Sequence, residues 1–216
     1  PDGSIWFGTD GAGFGRVGTN PDDARLYRLK DGLPSEVVLT LRFGRDALYV
    51  GTNAGLCRLR NDRLDCFRKR DGLPSDNIAQ VMEDPEGNLW AGTAAGVARI
   101  TRASLERSPS GRTRLGVRHF ARPDGLFNVQ CTAPSNGPLL SRSGRIFFPT
   151  LQGLTSVDPA RLTRDEVPPV VHVESVLADG VRLPASDTVS IPRGASRLEI
   201  RYTGICTRAA QLVSFR

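Results

Sequence analysis

Short β-branched and apolar runs, bounded by Gly, Pro, Asn and Asp, follow one another along this chain and read as strands. Within Ser35–Arg70, Val37–Phe43 predicts a buried strand, Gly44-Arg45-Asp46 a turn, and Ala47–Thr52 a second strand. Asn53-Ala54-Gly55 turns the chain into Leu56–Arg60, a third strand. Asn61-Asp62, two residues that tolerate positive φ, make a tight hairpin into the fourth strand, Arg63–Arg68. The same plan returns at Ile78–Glu83, Leu89–Thr93, Val97–Ile100 and Val117–Phe120. There the last hairpin carries an insertion, Thr101–Gly116, in which Ser108-Pro109-Ser110-Gly111 predicts a mobile loop. A worn copy follows at Pro138–Ser141, Arg145–Thr150 and Leu154–Val157, and a first copy around Ile5–Thr9 has lost its inner strand.

Two motifs keep step with these strands. Asp-Gly-Leu-Pro-Ser stands at Asp31–Ser35 and again 40 residues later at Asp71–Ser75, with a degenerate copy at Asp124–Asn128. Ile5-Trp6-Phe7-Gly8-Thr9 recurs as Leu48–Thr52 and Leu89–Thr93, with glycine spacings of 43 and 41, and in worn form as Ile146–Thr150. Four antiparallel strands per repeat of about 40 residues describe a β-propeller blade. The fold class is therefore all-β, a partial β-propeller of about three and a half four-stranded blades, too few to close a ring alone. The repetition also assigns structural work to most eye-catching residues. Asp31, Asp71 and Asp124 are turn residues, Gly8, Gly51 and Gly92 permit close backbone approach, and Trp6, Tyr49, Trp90 and Phe147 pack between neighbouring blades.

After Asp158 the pattern changes. Ala160–Val167 is polar, Pro168-Pro169 extends the chain, and Val170–Leu177 alternates as a strand. Asp179-Gly180 predicts a hairpin, Thr188–Ile191 a short strand, and Arg197–Tyr202 a cleanly alternating one. The organisation read from this is blades over residues 1–159, a linker over 160–169, and the first part of a β-sandwich over 170–216. The chain opens at Pro1 part-way through a repeat and stops at Arg216 inside a strand pattern, which reads as a segment of a longer protein.

Composition changes this picture little. Hydrophobic residues make up 39% of the 216, with 23 Gly and 15 Pro, which fits a turn-rich globular chain. The net charge of +6 raises the question of nucleic acid, but only Lys30 and Lys69 are lysines and the arginines are scattered. Arg68-Lys69-Arg70 is the one short cluster. We read a solvated surface and a GC-rich genome, with no nucleic-acid partner.

Four cysteines remain. If Asn61-Asp62 is a two-residue loop, Arg60 faces Arg63, and counting outward Cys57 faces Cys66 on a non-hydrogen-bonded site. Cα atoms there lie about 4.5–5.5 Å apart, within disulfide reach. A Cys57–Cys66 disulfide would imply an oxidising compartment such as the periplasm; two reduced thiols facing each other is the alternative. Cys131 and Cys206 are expected to be free, buried thiols.

No catalytic, metal or cofactor constellation is evident. His119 and His172 are the only histidines, without zinc-site spacing. Ser35 and Ser75 sit in repeat turns with no histidine repeating beside them. Gly11–Gly15 lacks the strand-to-helix context and lysine of a phosphate cradle. Linkers such as Asp31–Ser35 and turns such as Asn53–Gly55 fall on one propeller face; Asn61-Asp62 and the insertion fall on the other. Asp10, Asn53 and Gln152 occupy turns of the first face, but they do not single out a ligand site.

Leu73-Pro74-Ser75, Asp84–Thr93 and Gly96-Val97 resemble the two-component regulator propeller repeat, and Asp124–Pro159 resembles that family's final blade. Pro149, in place of the blade glycine, and the insertion after Ile100 depart from it. The Pro-Pro segment, the Asp-Gly hairpin and Leu198–Tyr202 resemble the triple-tyrosine domain, an immunoglobulin-like β-sandwich that follows such propellers and is incomplete here. The resemblance implies the periplasmic, ligand-sensing part of a bacterial inner-membrane signalling protein. Its ligand would be a small molecule such as a carbohydrate. Its parent would be membrane-anchored and dimeric, with a histidine kinase, often hybrid, or a diguanylate cyclase as output. The segment itself would not be an enzyme. A secreted propeller lyase or hydrolase and a non-catalytic protein-interaction scaffold are the alternatives.

Overall fold

The computed structural model describes residues 3–107, 114–133, 137–162, 170–184 and 188–205. The chain divides into two units, Pro1–Leu162 and Thr163–Arg216. The predicted loop at Ser108–Gly111, the Pro168-Pro169 segment and Cys206 lie outside the described residues.

The first unit is a series of antiparallel sheets, one per repeat. Blade one is β1 (Ile5–Gly8), β2 (Phe14–Val17) and β3 (Arg25–Tyr27). Blade two is β4 (Val38–Phe43), β5 (Leu48–Thr52), β6 (Gly55–Arg60) and β7 (Arg63–Phe67). Blade three is β8 (Ile78–Glu83), β9 (Leu89–Thr93), β10 (Gly96–Ile100) and β11 (Val117–Phe120). Blade four is β12 (Leu139–Leu140), β13 (Ile146–Thr150) and β14 (Gly153–Val157). Strands pair in sequence order within each blade, so this unit is a partial propeller. Asn61 and Asp62 take φ of +48° and +59°, the left-handed pair that a two-residue hairpin needs. That turn sets Arg60 against Arg63 and Cys57 against Cys66.

Three apolar clusters lie between the blades. Phe14 and Tyr27 of blade one share a core with Leu48, Val50 and Cys57 of blade two. Tyr49, Leu56 and Phe67 join Ile78, Val81 and Leu89 across the next junction. Trp90, Met82 and Phe120 join Cys131, Ile146 and Phe148 across the third. Leu162 also packs against this last cluster, so the unit runs past Pro159.

The repeated glycine lies where one blade presses on the next. A Cβ built on Gly51 would stand 2.4 Å from the Ile78 carbonyl oxygen and 2.6 Å from the Thr40 methyl. Gly8 meets Val38 and Gly92 meets Cys131 in the same way. Gly51→Ala is expected to cost about 1–3 kcal/mol, as overpacking does. Unchanged urea denaturation in that variant would show that the junction yields freely. At this place in blade four Pro149 pairs with Leu154 within the β13–β14 ladder.

The insertion is not only loop. It opens with α1 (Arg102–Arg107), whose Ser104 and Leu105 are buried. Leu105 and Leu115 enter the cluster between blades two and three. The Gly116 N–H donates to Ser104 Oγ at 2.6 Å and closes the base of the insertion.

The second unit holds a three-stranded antiparallel sheet, ordered β16 (Val181–Arg182), β15 (Val170–Ala178), β17 (Leu198–Ile205). It is one layer of an incomplete immunoglobulin-like sandwich. Asp179 and Gly180 form the expected hairpin, with φ of +48° and +84°. The Asp179 carboxylate accepts from the Ser196 hydroxyl at 2.8 Å and the Arg197 N–H at 2.9 Å, which pins the approach to β17. Those bonds, led by the Ser196 hydroxyl, hold its acid below the usual carboxylate range. Thr188–Ile191 does not form the predicted strand. No strand among the described residues pairs with this run, β16 taking only Leu177 and Ala178 on the second edge of β15, and Pro192 removes a donor at its end.

Candidate functional site

The repeat turns consume the groups that sequence alone leaves chemically tempting. The carboxylates of Asp31, Asp71 and Asp124 accept the N–H groups of Arg28, Arg68 and Ala121 at 2.9, 2.8 and 2.9 Å. Ser35 Oγ and Ser75 Oγ each accept the N–H two residues on at 3.1 Å. Thr9, Thr52, Thr93 and Thr150 donate their hydroxyls to the carbonyls of Gly13, Gly55, Gly96 and Gly153 at 2.7–2.9 Å. These residues close turns, which is sufficient reason for their repetition.

On the linker face, Asp10 and Asn53 are exposed and engaged through backbone only, in a bridge to Val37 and in an N–H bond to its carbonyl. Gln152 stands apart from them. Its carbonyl accepts Asn128 Nδ2 at 3.4 Å, and it borders an open depression of about 540 Å³ with Arg122, Leu126 and Phe127. Phe127, in the position held by Pro34 and Pro74, is 88% exposed. The face therefore does not bring the three predicted turn residues together.

The opposite face carries a pattern that the sequence reading missed. The β-ladder sets an aromatic across from an arginine in three successive blades: Trp6 faces Arg16, Tyr49 faces Arg58, and Trp90 faces Arg99. In blade two Arg58 is buried. Its Nη2 lies 3.2 Å from Asp65, and its Nη1 donates to the Leu105 carbonyl of α1 at 2.8 Å. Arg58 thus holds the blade-three insertion against blade two. Tyr49 is enclosed beside it. Burial, reinforced by Glu83 and Asp46, pushes its phenol up to about 12. An unfolded tyrosine releases its proton near 10, so stability is level below pH 10 and falls as pH rises toward about 12. The difference in tyrosinate absorbance between the parent and Tyr49→Phe should report that late titration. A Tyr49 midpoint near 10 would mean the site is open to water.

Cys57 and Cys66 have Cα atoms 4.1 Å apart and Sγ atoms 1.96 Å apart. Cys131 is a free, buried thiol, and burial pushes its pKa up to about 11. Non-reducing mass spectrometry after alkylation should find Cys57 and Cys66 unmodified and two mass units light. Alkylation at both would exclude the bond. His119 lies with a ring nitrogen 2.9 Å from the Ala95 carbonyl. No group of three or more His, Cys, Asp or Glu among the described residues is placed to hold a metal ion.

Residues 72–95, the turn and first two strands of blade three, match the family model described as two component regulator propeller. No curated protein matches the chain. Among solved structures the chain is similar to the extracellular domain of BT3049 from B. thetaiotaomicron, assigned as a hybrid two component system. The TM-score is 0.64 at 22% identity, over 94% of this chain and 25% of that one. It is similar to the corresponding domain of BT4673 from the same organism, with a TM-score of 0.57 at 16% identity, over 94% and 30% of the two chains. It is also similar to PorZ, a bacterial surface component of the type-IX secretion system of Porphyromonas gingivalis. There the TM-score is 0.52 at 10% identity, over 95% and 38%. The chain thus spans well under half the length of these structures, and at such identities the likeness is one of fold.

Proposed function

We propose that this chain is the extracytoplasmic, ligand-sensing region of a bacterial transmembrane signalling protein. The observation that carries the reading is a coincidence of two kinds of likeness. A two component regulator propeller repeat is matched within blade three, and the fold likeness to the BT3049 extracellular domain runs over nearly the whole chain, both units included. The facing Cys57 and Cys66 support an oxidising compartment, the periplasm. The second unit is then the start of a triple-tyrosine domain, leading toward a membrane helix and a histidine kinase, hybrid or diguanylate cyclase output. A small ligand such as a carbohydrate would bias the arrangement of two such regions in a dimer, shifting a two-state population.

The test uses the intact parent protein in membranes. Externally added saccharides should change its phosphorylation or cyclic-dinucleotide output, and a membrane-impermeant thiol reagent should reach the reduced Cys66 from the outer side only. An exported protein with no membrane span and no output domain would overturn the reading.

A further inference from the structure

The junctions between blades one and two and between blades two and three build the same cleft from equivalent parts, and only one of them is filled. In the second junction the walls are Tyr49, Arg58 and Glu83. Into it the insertion sends Leu105 and Glu106, leaving a void of about 20 Å³. In the first junction the equivalent walls are Trp6, Arg16 and Phe43, and the cleft is open with a volume of about 380 Å³. The cause is loop length. The β10–β11 connection is the insertion with α1, whereas the β6–β7 connection is only Asn61-Asp62 and cannot reach across.

The filled cleft shows which groups the arginine donates to. Arg58 takes a carboxylate, Asp65 directly across the ladder, and a carbonyl oxygen from α1. At Asp65's place in blade one stands Arg25, which faces Arg16. Arg25 is itself satisfied by Asp62 at 2.9 Å, and Asp62 also accepts the Tyr27 hydroxyl at 3.2 Å. The other acid lining the cleft, Asp46, is matched by Arg60 at 3.2 Å. Arg16 finds no hydrogen-bond or ion-pair partner among the described residues and is the unmatched charge. Beside it Phe43 is 63% exposed and meets Trp6 edge-on, ring centroids 6.1 Å apart. An arginine that lacks its oxygen partners, next to an exposed aromatic wall in a cleft of small-molecule size, is a receptor for one chemistry.

We infer that the open cleft between blades one and two binds a small organic carboxylate, its anionic group on the Arg16 guanidinium and its flat apolar face against Phe43 and Trp6. The body can be an aryl ring or the apolar face of a sugar acid; the shared chemistry is a carboxylate beside a ring. This deepens the sensing reading and rests on it for its biological meaning. Binding is measured separately from output, so intact binding without a signal would fault the sensing reading alone.

Calorimetry of the complete extracytoplasmic region with phenylacetate and with D-glucuronate, against 2-phenylethanol and D-glucose as neutral partners, tests it. At least one anion should bind saturably at millimolar concentration, and which one does identifies the ring. Arg16→Gln should weaken that binding by about tenfold or more, the order expected for a charge-assisted contact. Phe43→Ala should weaken it too, and Arg70→Gln, on an exposed turn outside the cleft, should not. The Arg16→Gln variant should melt as the parent does, since the Arg16 side chain has no hydrogen-bond or ion-pair partner among the described residues to lose. Failure of both anions to bind, equal binding of the neutral partners, or full affinity in Arg16→Gln would each overturn the proposal. So would a polypeptide that closes the cleft to both anions.

Discussion

Arg58→Ala should destabilise the propeller unit by about 3–5 kcal/mol, the range for removing one partner of a buried ion pair. The side chains of Arg58 and Asp65 are 8% and 5% exposed, so the variant would leave an interior carboxylate without its buried arginine, beside the more exposed Arg63 Nε 3.1 Å away. It would also orphan the Leu105 carbonyl and free α1 from blade two. Amide exchange should therefore accelerate at Ser104 and Leu105 beyond what the global loss explains. Replacing Arg58 and Asp65 together by Met and Leu should recover most of the stability, because a buried pair is worth little against apolar residues of similar volume. If Arg58→Ala unfolds at the parent's urea midpoint, the pair is solvated and the insertion is held by its other contacts, the apolar ones of Leu105 and Leu115 and the Leu115 N–H bond to the Asp71 carbonyl.

Trp90→Ala should cost about 3–5 kcal/mol, the range for truncating a large buried aromatic. Trp90 is fully enclosed in the cluster between blades three and four and stacks on Phe120 at 5.9 Å. Its Nε1–H donates to the buried Asp84 carboxylate at 2.8 Å, and Asn88 Nδ2 donates to the same carboxylate at 3.0 Å. Trp90→Phe separates the two contributions. It keeps most of the apolar contact and loses one bond to a charged acceptor, about 1.5–3 kcal/mol. Equal losses in the two variants would place the whole effect in the Asp84 bond.

Much of this architecture could be read before any coordinates. The Asn61-Asp62 turn fixes the β6–β7 register, and the in-step motifs fix the phase of β5, β9 and β13. Two features escaped for physical reasons. α1 is a single short helix in a polar insertion; Thr101 caps it, its Oγ1 accepting the Ser104 N–H at 3.3 Å, but one capped turn is too short to be stable alone, and Leu105 entering a core formed by other repeats holds it. Arg58 sits in Leu-Cys-Arg-Leu-Arg and resembles any outward-facing strand residue. Yet the count that pairs Cys57 with Cys66 also pairs Arg58 with Asp65 on the neighbouring rung, so a signal for the buried ion pair was present. The predicted Thr188–Ile191 strand failed because local propensity does not report whether a partner strand lies alongside. Of the linker-face residues, Asp10 and Asn53 share a repeat position and both meet Val37, whereas Gln152 stands one position later in its turn and two blades on from Asn53.

The two-residue Asn61-Asp62 hairpin has a consequence for how such proteins diversify. Whether a junction is stoppered or open depends on the length of one surface connection, not on any residue of the strands. Lengthening a loop costs little, about 0.6 kcal/mol per doubling. A lineage of these repeats could gain or silence receptor clefts by insertion and deletion at one hairpin per blade, with the propeller frame inherited intact. Transplanting the segment 101–116 between Arg60 and Arg63 would be the laboratory version of that step.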